Sequence, residues 1–172
     1  MVIMGYTTYF SGEFTFNKPV TEELKTYINK FSDTRRMVRD NNKIKELFPN
    51  WKELCFNGDL GEDGAYFVGG DGFCGQDRDD SIIDYNSAGS QPGLWCQWII
   101  NDRNELVWDQ GEKFDNYVEW LKYLIKHFFE PLGYEINGTV DYEGEDPDDF
   151  GRIIASDNFI KIAYGHRVYE EA

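Results

Sequence analysis

A short segment near the carboxyl end of the chain contains five carboxylates: Glu143, Glu145, Asp146, Asp148 and Asp149. Carboxylates at this density attract basic side chains, and Pro147 restricts the backbone that carries them. A solvated surface loop and a pair of carboxylates for acid–base catalysis are the alternative interpretations. The segment is our first candidate for a surface that binds a partner.

A second acidic group contains Asp77, Asp79, Asp80 and Asp84. Hard cations such as Ca²⁺ take several oxygen ligands, but Arg78 interrupts this group and the spacing is not that of an EF-hand. Asx-turns and local ion pairs are the structural interpretation. We predict no metal here, and we add Asp77, Asp79 and Asp80 to the candidate partner-binding residues.

The concentrated guanidinium groups of the chain are Arg35, Arg36 and Arg39. Guanidinium groups bind phosphate or carboxylate through two parallel hydrogen bonds. Trp95 and Trp98 offer aromatic faces on which a nucleotide base would stack. These five residues predict a site for a nucleotide or small anion, and the alternative is that the arginines pair with the protein's own carboxylates.

Other motifs for catalysis or cofactor binding are weak. The glycine-rich stretch 69–75 lacks the Gly-Lys-Ser/Thr ending of a phosphate-binding loop. Cys55, Cys74 and Cys96 are widely spaced without a C-x-x-C pair, which favours reduced thiols and a cytoplasmic protein. We therefore predict no catalytic residue and no cofactor. The apolar runs are also too short for a membrane span, so we expect no membrane partner.

The net charge of −15 is unevenly distributed. The first 56 residues carry a net charge of +2, whereas residues 57–172 carry −17. Such acidity disfavours direct binding of nucleic acid, because phosphate contacts require Lys and Arg. It favours a basic surface on a protein partner, although acidic residues also serve solubility alone.

Hydrophobic periodicity indicates a mixed α+β chain. A helix is predicted from Thr21, its N-cap, through Arg36, and a second long helix over 112–130. A shorter helix is predicted over 42–48. The predicted strands are 3–16, 65–68, 81–85, 94–100, 105–108, 134–142, 150–155 and 159–164.

These elements predict two main helices packed on one face of a mostly antiparallel sheet, with a ferredoxin-like arrangement. Residues 1–165 are expected to form a single α+β domain, and residues 166–172 a loosely ordered tail.

Several sequence phrases resemble an uncharacterised family of small bacterial and bacteriophage proteins. They are MGYTT at 4–8, TRRM at 34–37, GQDRDD at 75–80, QPGLWCQW at 91–98 and GEDPDDFG at 144–151. The element order and region 112–151 are more distantly similar to YubB-type ferredoxin-like proteins of plasmids and phages. The resemblance implies a phage or mobile-element setting and an intracellular location, and it assigns no residue a role.

Two hypotheses about function follow. The first is a non-catalytic regulatory protein whose acidic loops engage a basic protein surface, for example that of a host factor that handles nucleic acid. The second is a protein or enzyme that binds a nucleotide or small anion through Arg35, Arg36 and Arg39. Salt-dependent capture of a partner would favour the first, and stabilisation by nucleotides the second.

Overall fold

The structure is a computed structural model that describes residues 5–69 and 78–172. Within these residues, three α-helices and eight β-strands follow one another. The helices are α1 (Glu22–Ser32), α2 (Asn41–Leu47) and α3 (Tyr117–Leu124). The strands are β1 (Tyr9–Phe16), β2 (Val38–Arg39), β3 (Ile82–Asp84), β4 (Trp98–Ile100), β5 (Leu106–Trp108), β6 (Ile136–Glu143), β7 (Phe150–Ser156) and β8 (Phe159–Tyr164).

Six of the strands form one antiparallel sheet in the order β4-β5-β1-β6-β7-β8. The central strand β1 therefore lies between β5 and β6, with α1 and α2 between β1 and β4 in sequence and α3 between β5 and β6. The strands β2 and β3 form a separate two-stranded ladder. The predicted α+β class, with its mostly antiparallel sheet, is confirmed.

The two long helices cover one face of the sheet and leave the other face open. On β1, Phe14 is fully buried toward the helices, whereas Ser11 and Glu13 are exposed on the opposite face. The rings of Phe31 on α1 and Trp120 on α3 meet edge to face at 5.8 Å, so the helices pack side by side above the sheet. Antiparallel sheets tolerate one solvated face, and among the described residues Ser11 and Glu13 are exposed on it.

The ends of the helices depend on local chemistry that propensity alone does not specify. The Thr21 hydroxyl accepts a hydrogen bond from the Leu24 amide at 3.2 Å, so the predicted N-cap is confirmed. The prediction that this helix continues through Arg36 is wrong, because the Arg36 amide donates to the Leu94 carbonyl at 2.8 Å. The second long helix begins five residues later than predicted, since Lys113 and Asn116 have left-handed backbone angles (φ 56° and 55°).

After α3 the helix widens into a π-helical turn over Ile125–Phe129 and then tightens into a 3₁₀ turn over Glu130–Leu132. Pro131 lies within the 3₁₀ turn, whereas Gly133, with φ 74°, ends it, so the predicted end at Gly133 is confirmed. The predicted hairpin β7–β8 is also present. Its Asp157 and Asn158 both have positive φ (47° and 69°), as a two-residue hairpin of the type I′ class requires.

A small second core lies apart from the sheet and contains Ile44, Cys55, Leu60 and Phe67. The predicted strand 65–68 is wrong, because these residues are irregular and bond to nearby loops. The Val68 amide, for example, donates to the Leu54 carbonyl at 2.8 Å. In the ladder beside this core, β3 was predicted and β2 was not, because the two residues of β2 are too few to give a strand pattern.

Two glycines allow β1 and β6 to approach very closely. Gly12 has φ +115° and Gly138 has φ +137°. A β-carbon on Gly12 would lie 2.5 Å from the Thr139 carbonyl oxygen, and one on Gly138 would lie 2.6 Å from that of Glu13. The centre of the sheet therefore requires glycine at both positions for steric reasons.

Candidate functional site

The acidic loop, residues 143–149, connects β6 to β7 and is anchored to the segment that precedes β1. The Tyr6 hydroxyl donates to an Asp149 carboxylate oxygen at 2.5 Å and accepts from the Asp146 amide at 3.2 Å. The Thr7 amide donates to Glu145 Oε1 at 2.7 Å. The loop is therefore held in a defined shape by contacts across more than 130 positions of sequence.

Its carboxylates divide into two groups. Those of Glu145 and Asp149 accept the anchoring hydrogen bonds. Those of Glu143, Asp146 and Asp148 are exposed, and across residues 5–69 and 78–172 the one ion pair that they form joins Asp148 to Arg167, at 3.9 Å. The fold therefore presents three carboxylates to solvent on an anchored loop.

The negative charge of the acidic loop affects the tyrosines beneath it. The hydrogen bond from Tyr6 to Asp149 raises the pKa of the Tyr6 phenol. Burial raises the pKa of Tyr117 to about 12, and the charges of Tyr142 and Asp149 contribute further. Burial and then Asp149 raise the pKa of Tyr142 in the same direction. All three phenols therefore remain neutral at physiological pH, next to an anionic loop.

A groove of about 700 Å³ lies on the sheet beside this loop. We call it the sheet-face groove. Its aromatic lining comes from Tyr9, Phe10, Tyr142, Phe150 and Tyr164, and its polar or charged lining from Ser11, Asp141, Glu143, Arg152 and Arg167. Tyr9 and Tyr164 are 61% and 71% exposed, so their rings are accessible to a ligand. Exposed aromatic faces beside carboxylates suit a cationic group.

The floor of the groove contains a cross-strand ion pair. Arg152 Nε on β7 donates to Asp141 Oδ1 on β6 at 2.7 Å, and Asp141 and Arg152 are paired positions in the ladder. Since this arginine is neutralised in place, the negative charge near the loop end of the groove comes from Glu143 and Asp146, which form no ion pair among the described residues, and from Asp148, which pairs weakly with Arg167.

The described residues of the second acidic group lie outside the acidic loop and do not line the sheet-face groove. Asp79 accepts from Arg39 NH1 at 2.9 Å and from the Ser81 amide at 2.8 Å, so its carboxylate is committed within the fold. Asp80 is exposed, whereas Asp77 lies outside the described residues. Among those residues, no group of three or more His, Cys, Asp or Glu side chains has metal-binding geometry.

Arg36 is a core residue, although the sequence suggested a ligand clamp. Its side chain is 2% exposed and lies over the Phe31 ring at 4.1 Å. Its Nε donates to Gln91 Oε1 at 2.9 Å, and its NH2 donates to the carbonyls of Ala65 and Phe67. Burial lowers the pKa of Arg36 to about 10, so it remains charged at neutral pH. The placement corrects its assignment as a ligand-binding residue.

Arg39 and Trp98 are also buried, so their assignment as ligand-binding residues is corrected for the same reason. Arg39 is 4% exposed and donates to Asp79 and Ser81, which joins β2 to the segment before β3. Trp98 is completely buried, and its Nε1 donates to the Tyr117 carbonyl at 2.9 Å, so it offers no wall for a ligand. Trp95 is half-buried.

Arg35 is the accessible member of the predicted arginine cluster, and its partner is different from the predicted one. Its guanidinium lies 4.2 Å from the centre of the Tyr85 ring, and that of Arg78 lies 4.4 Å from the same ring. Arg35 NH2 also donates to Asn86 Oδ1 at 3.4 Å. In the described part of the chain neither guanidinium forms an ion pair. Tyr85 and Arg78 were not predicted as site residues.

A second groove, of about 910 Å³, follows one side of α1. Leu24, Tyr27 and Phe56 contribute apolar surface, and Cys55 is also among the lining residues. Burial raises the pKa of the Cys55 thiol and raises that of Cys96 to about 12, which keeps both thiols protonated. Cys74 lies outside the described residues. The prediction that the thiols have no catalytic role stays a prediction.

Comparison with known proteins gives no relative. No family model, no curated protein and no solved structure matches the chain. The resemblance to small bacterial and bacteriophage proteins therefore stays a prediction. No helix within the described ranges is both long enough and apolar enough to cross a membrane.

Proposed function

We propose that this chain is a binding protein that engages a basic surface of a protein partner through the acidic loop and the sheet-face groove. The observation that carries the proposal is the exposure of Glu143, Asp146 and Asp148 on a loop anchored by Tyr6 and Thr7. Anchoring matters because a fixed surface loses less conformational entropy when a partner binds than a mobile loop would.

The groove adds a concave, partly aromatic surface to the charged one. Its exposed rings offer stacking and cation–π contacts to the side chains of Arg or Lys, while the loop supplies charge. A surface that binds nucleic-acid phosphates is one basic surface of this kind. We propose a regulatory role without catalysis, in the cytoplasm and in a phage or mobile-element setting. We also interpret β6-β1-β5-β4 with its two helices as a ferredoxin-like core.

Capture at two salt concentrations tests the proposal. The immobilised chain is exposed to a bacterial lysate at low salt and at about 0.5 M salt, where exposed charges are screened beyond roughly 4 Å. Captured proteins are identified, purified and measured individually. We expect basic proteins that bind at low salt and dissociate at high salt.

The decisive variant is E143Q/D146N/D148N, which removes the three exposed charges and leaves Glu145 and Asp149 in place. Its matched control is E53Q/E62Q/D63N, three exposed carboxylates near the second core. The first variant should lose the purified partner and the second should keep it. Equal binding by both variants would contradict the proposed surface.

The pair Arg35 and Arg78 supports a second candidate function, the binding of a small anion. Two guanidinium groups on one tyrosine ring, without a carboxylate partner among the described residues, leave donors free for phosphate or carboxylate oxygens.

A thermal-shift screen with inorganic phosphate and nucleotides tests this second candidate function. Stabilisation of the wild type that R35Q and R78Q both abolish is expected, whereas R103Q serves as the control at an exposed arginine paired to Glu105. No shift with any anion would reject this candidate.

A further inference from the structure

The chain already places one of its own guanidinium groups at the loop end of the sheet-face groove. Arg167 Nε donates to the Pro147 carbonyl at 3.0 Å and lies 3.9 Å from Asp148 Oδ1. The carbon of the guanidinium lies 5.6 Å from the centre of the Phe150 ring. One arginine side chain thus uses a backbone carbonyl, a carboxylate and an aromatic ring at the same time.

This contact is the attachment point of an otherwise exposed segment. The Gly165 amide donates to the Phe150 carbonyl at 2.9 Å, which extends the β7–β8 ladder by one residue. Beyond Gly165, residues 166–172 have no regular secondary structure, and Val168 and Tyr169 are more than 80% exposed. Among the described residues, Arg167 makes every side-chain hydrogen bond, ion pair and ring contact in which this segment takes part.

The combination is selective for a guanidinium. A planar guanidinium can lie against an aromatic ring while its edge donates hydrogen bonds to oxygen, whereas an ammonium has no planar face. The Arg167 contact is also incomplete, because Asp148 remains 93% exposed and its separation from Nε exceeds hydrogen-bond length. An incoming arginine can therefore replace Arg167 without disturbing the core.

Resting on the proposed function, we infer that the sheet-face groove recognises an arginine side chain of the partner, and that Arg167 occupies this position until the partner displaces it. The segment 166–172 then acts as a resident competitor. The partner can bind only those molecules in which Arg167 has left this position. The apparent affinity is therefore the intrinsic affinity multiplied by the fraction of such molecules.

Peptide binding to the full-length chain tests this inference. A fluorescent tri-arginine peptide and a tri-lysine peptide are titrated against the wild type, R167Q, R167K and K161Q at low salt. The control K161Q removes one positive charge from the same sheet face but outside the groove. We expect R167Q to bind tri-arginine about three- to tenfold more tightly than K161Q does, with a smaller difference for tri-lysine. R167K should resemble R167Q.

The possible results separate the inference from the proposed function. If R167Q and K161Q bind tri-arginine equally well, Arg167 is not a competitor, and the inference is overturned while the basic-partner surface stands. If R167K behaves as the wild type, charge alone suffices and the guanidinium specificity is overturned. If no form of the chain binds either peptide, both the inference and the proposed function fail.

Discussion

Arg36 and the acidic loop show how differently one fold treats its two concentrated charge clusters. The Arg36 guanidinium is buried, lies against Phe31 and donates to Gln91 and two backbone carbonyls. In contrast, the loop uses Glu145 and Asp149 as anchors and leaves three carboxylates in solvent. The positive cluster thus mainly holds elements together, and the negative cluster forms a surface.

The comparison shows that charge density in a sequence does not separate scaffold from surface. A buried charge must be hydrogen-bonded, and the long arginine side chain can reach several acceptors at once. A short carboxylate on a loop needs a donor close by, and those of Glu143, Asp146 and Asp148 remain hydrated instead. Substitutions should therefore affect stability in the first region and binding in the second.

The largest stability effect is expected for R36A. The substitution leaves three acceptors without their donor and opens a cavity beside Phe31, so we expect a loss of about 3 kcal/mol in the free energy of unfolding. Urea denaturation measures it. The exposed Arg103, replaced by alanine, should change stability by less than about 0.5 kcal/mol. Equal losses for the two variants would remove the distinction between buried and surface arginines.

A smaller effect, and one that depends on pH, is expected for D79N. Burial alone would raise the pKa of Asp79, but hydrogen bonds from Ser81 and Arg39 outweigh it and lower the pKa. A carboxyl with a lowered folded-state pKa stabilises the fold above its unfolded pKa of about 3.9, and this stability is lost as pH falls through the folded value.

D79N should cost about 1 kcal/mol at pH 7, after allowance for solvent screening. It should also flatten the loss of stability between about pH 4 and pH 2. Thermal denaturation across that range checks both expectations. D80N changes an exposed neighbour and should retain the wild-type pH dependence.

A local effect is expected when the anchor of the acidic loop is removed. Y6F deletes the hydroxyl that joins Asp149 to the Asp146 amide. Hydrogen exchange at the Asp146 amide should increase several-fold, while the amides of the central strand β1 keep their protection. Y9F, at an exposed tyrosine of the groove, should leave the Asp146 amide unchanged. Unaltered exchange in Y6F would show that the loop holds its shape without Tyr6.

The smallest effect on stability is expected for E143Q/D146N/D148N. These side chains are exposed, so the free energy of unfolding should change by less than about 0.5 kcal/mol even though partner binding is lost. Urea denaturation of the variant, alongside its capture experiment, gives both values. A large destabilisation would mean that the loop is part of the scaffold, and the contrast with Arg36 would disappear.

Much of the secondary structure follows from local signals in the sequence. The Thr21 cap, the apolar stripe of α1 and the Asp157-Asn158 turn all act within a few residues, so their patterns predict them. In contrast, α3 begins later than predicted because Lys113 and Asn116 have a left-handed backbone, and the residue types alone do not predict this conformation.

The candidate site was harder to predict, because its defining contacts join distant residues. The acidic residues of the loop were predicted, but the Tyr6 contact to Asp149 spans 143 positions. The pairing of Arg35 and Arg78 on Tyr85 likewise appears only after folding. The sequence drew attention to Arg36 as a member of a guanidinium cluster. Its neighbours in sequence, however, do not distinguish a buried guanidinium from an exposed one.

The close approach at Gly12 and Gly138 also determines how a map of mutational tolerance should be interpreted. Every other side chain at these two positions collides with the carbonyl oxygen of the facing strand. A scan of all substitutions would therefore show two intolerant positions in the middle of the sheet. Such a signal marks backbone crowding, so the search for binding residues on the sheet should give weight to positions that tolerate substitution for folding and fail only when a partner is present.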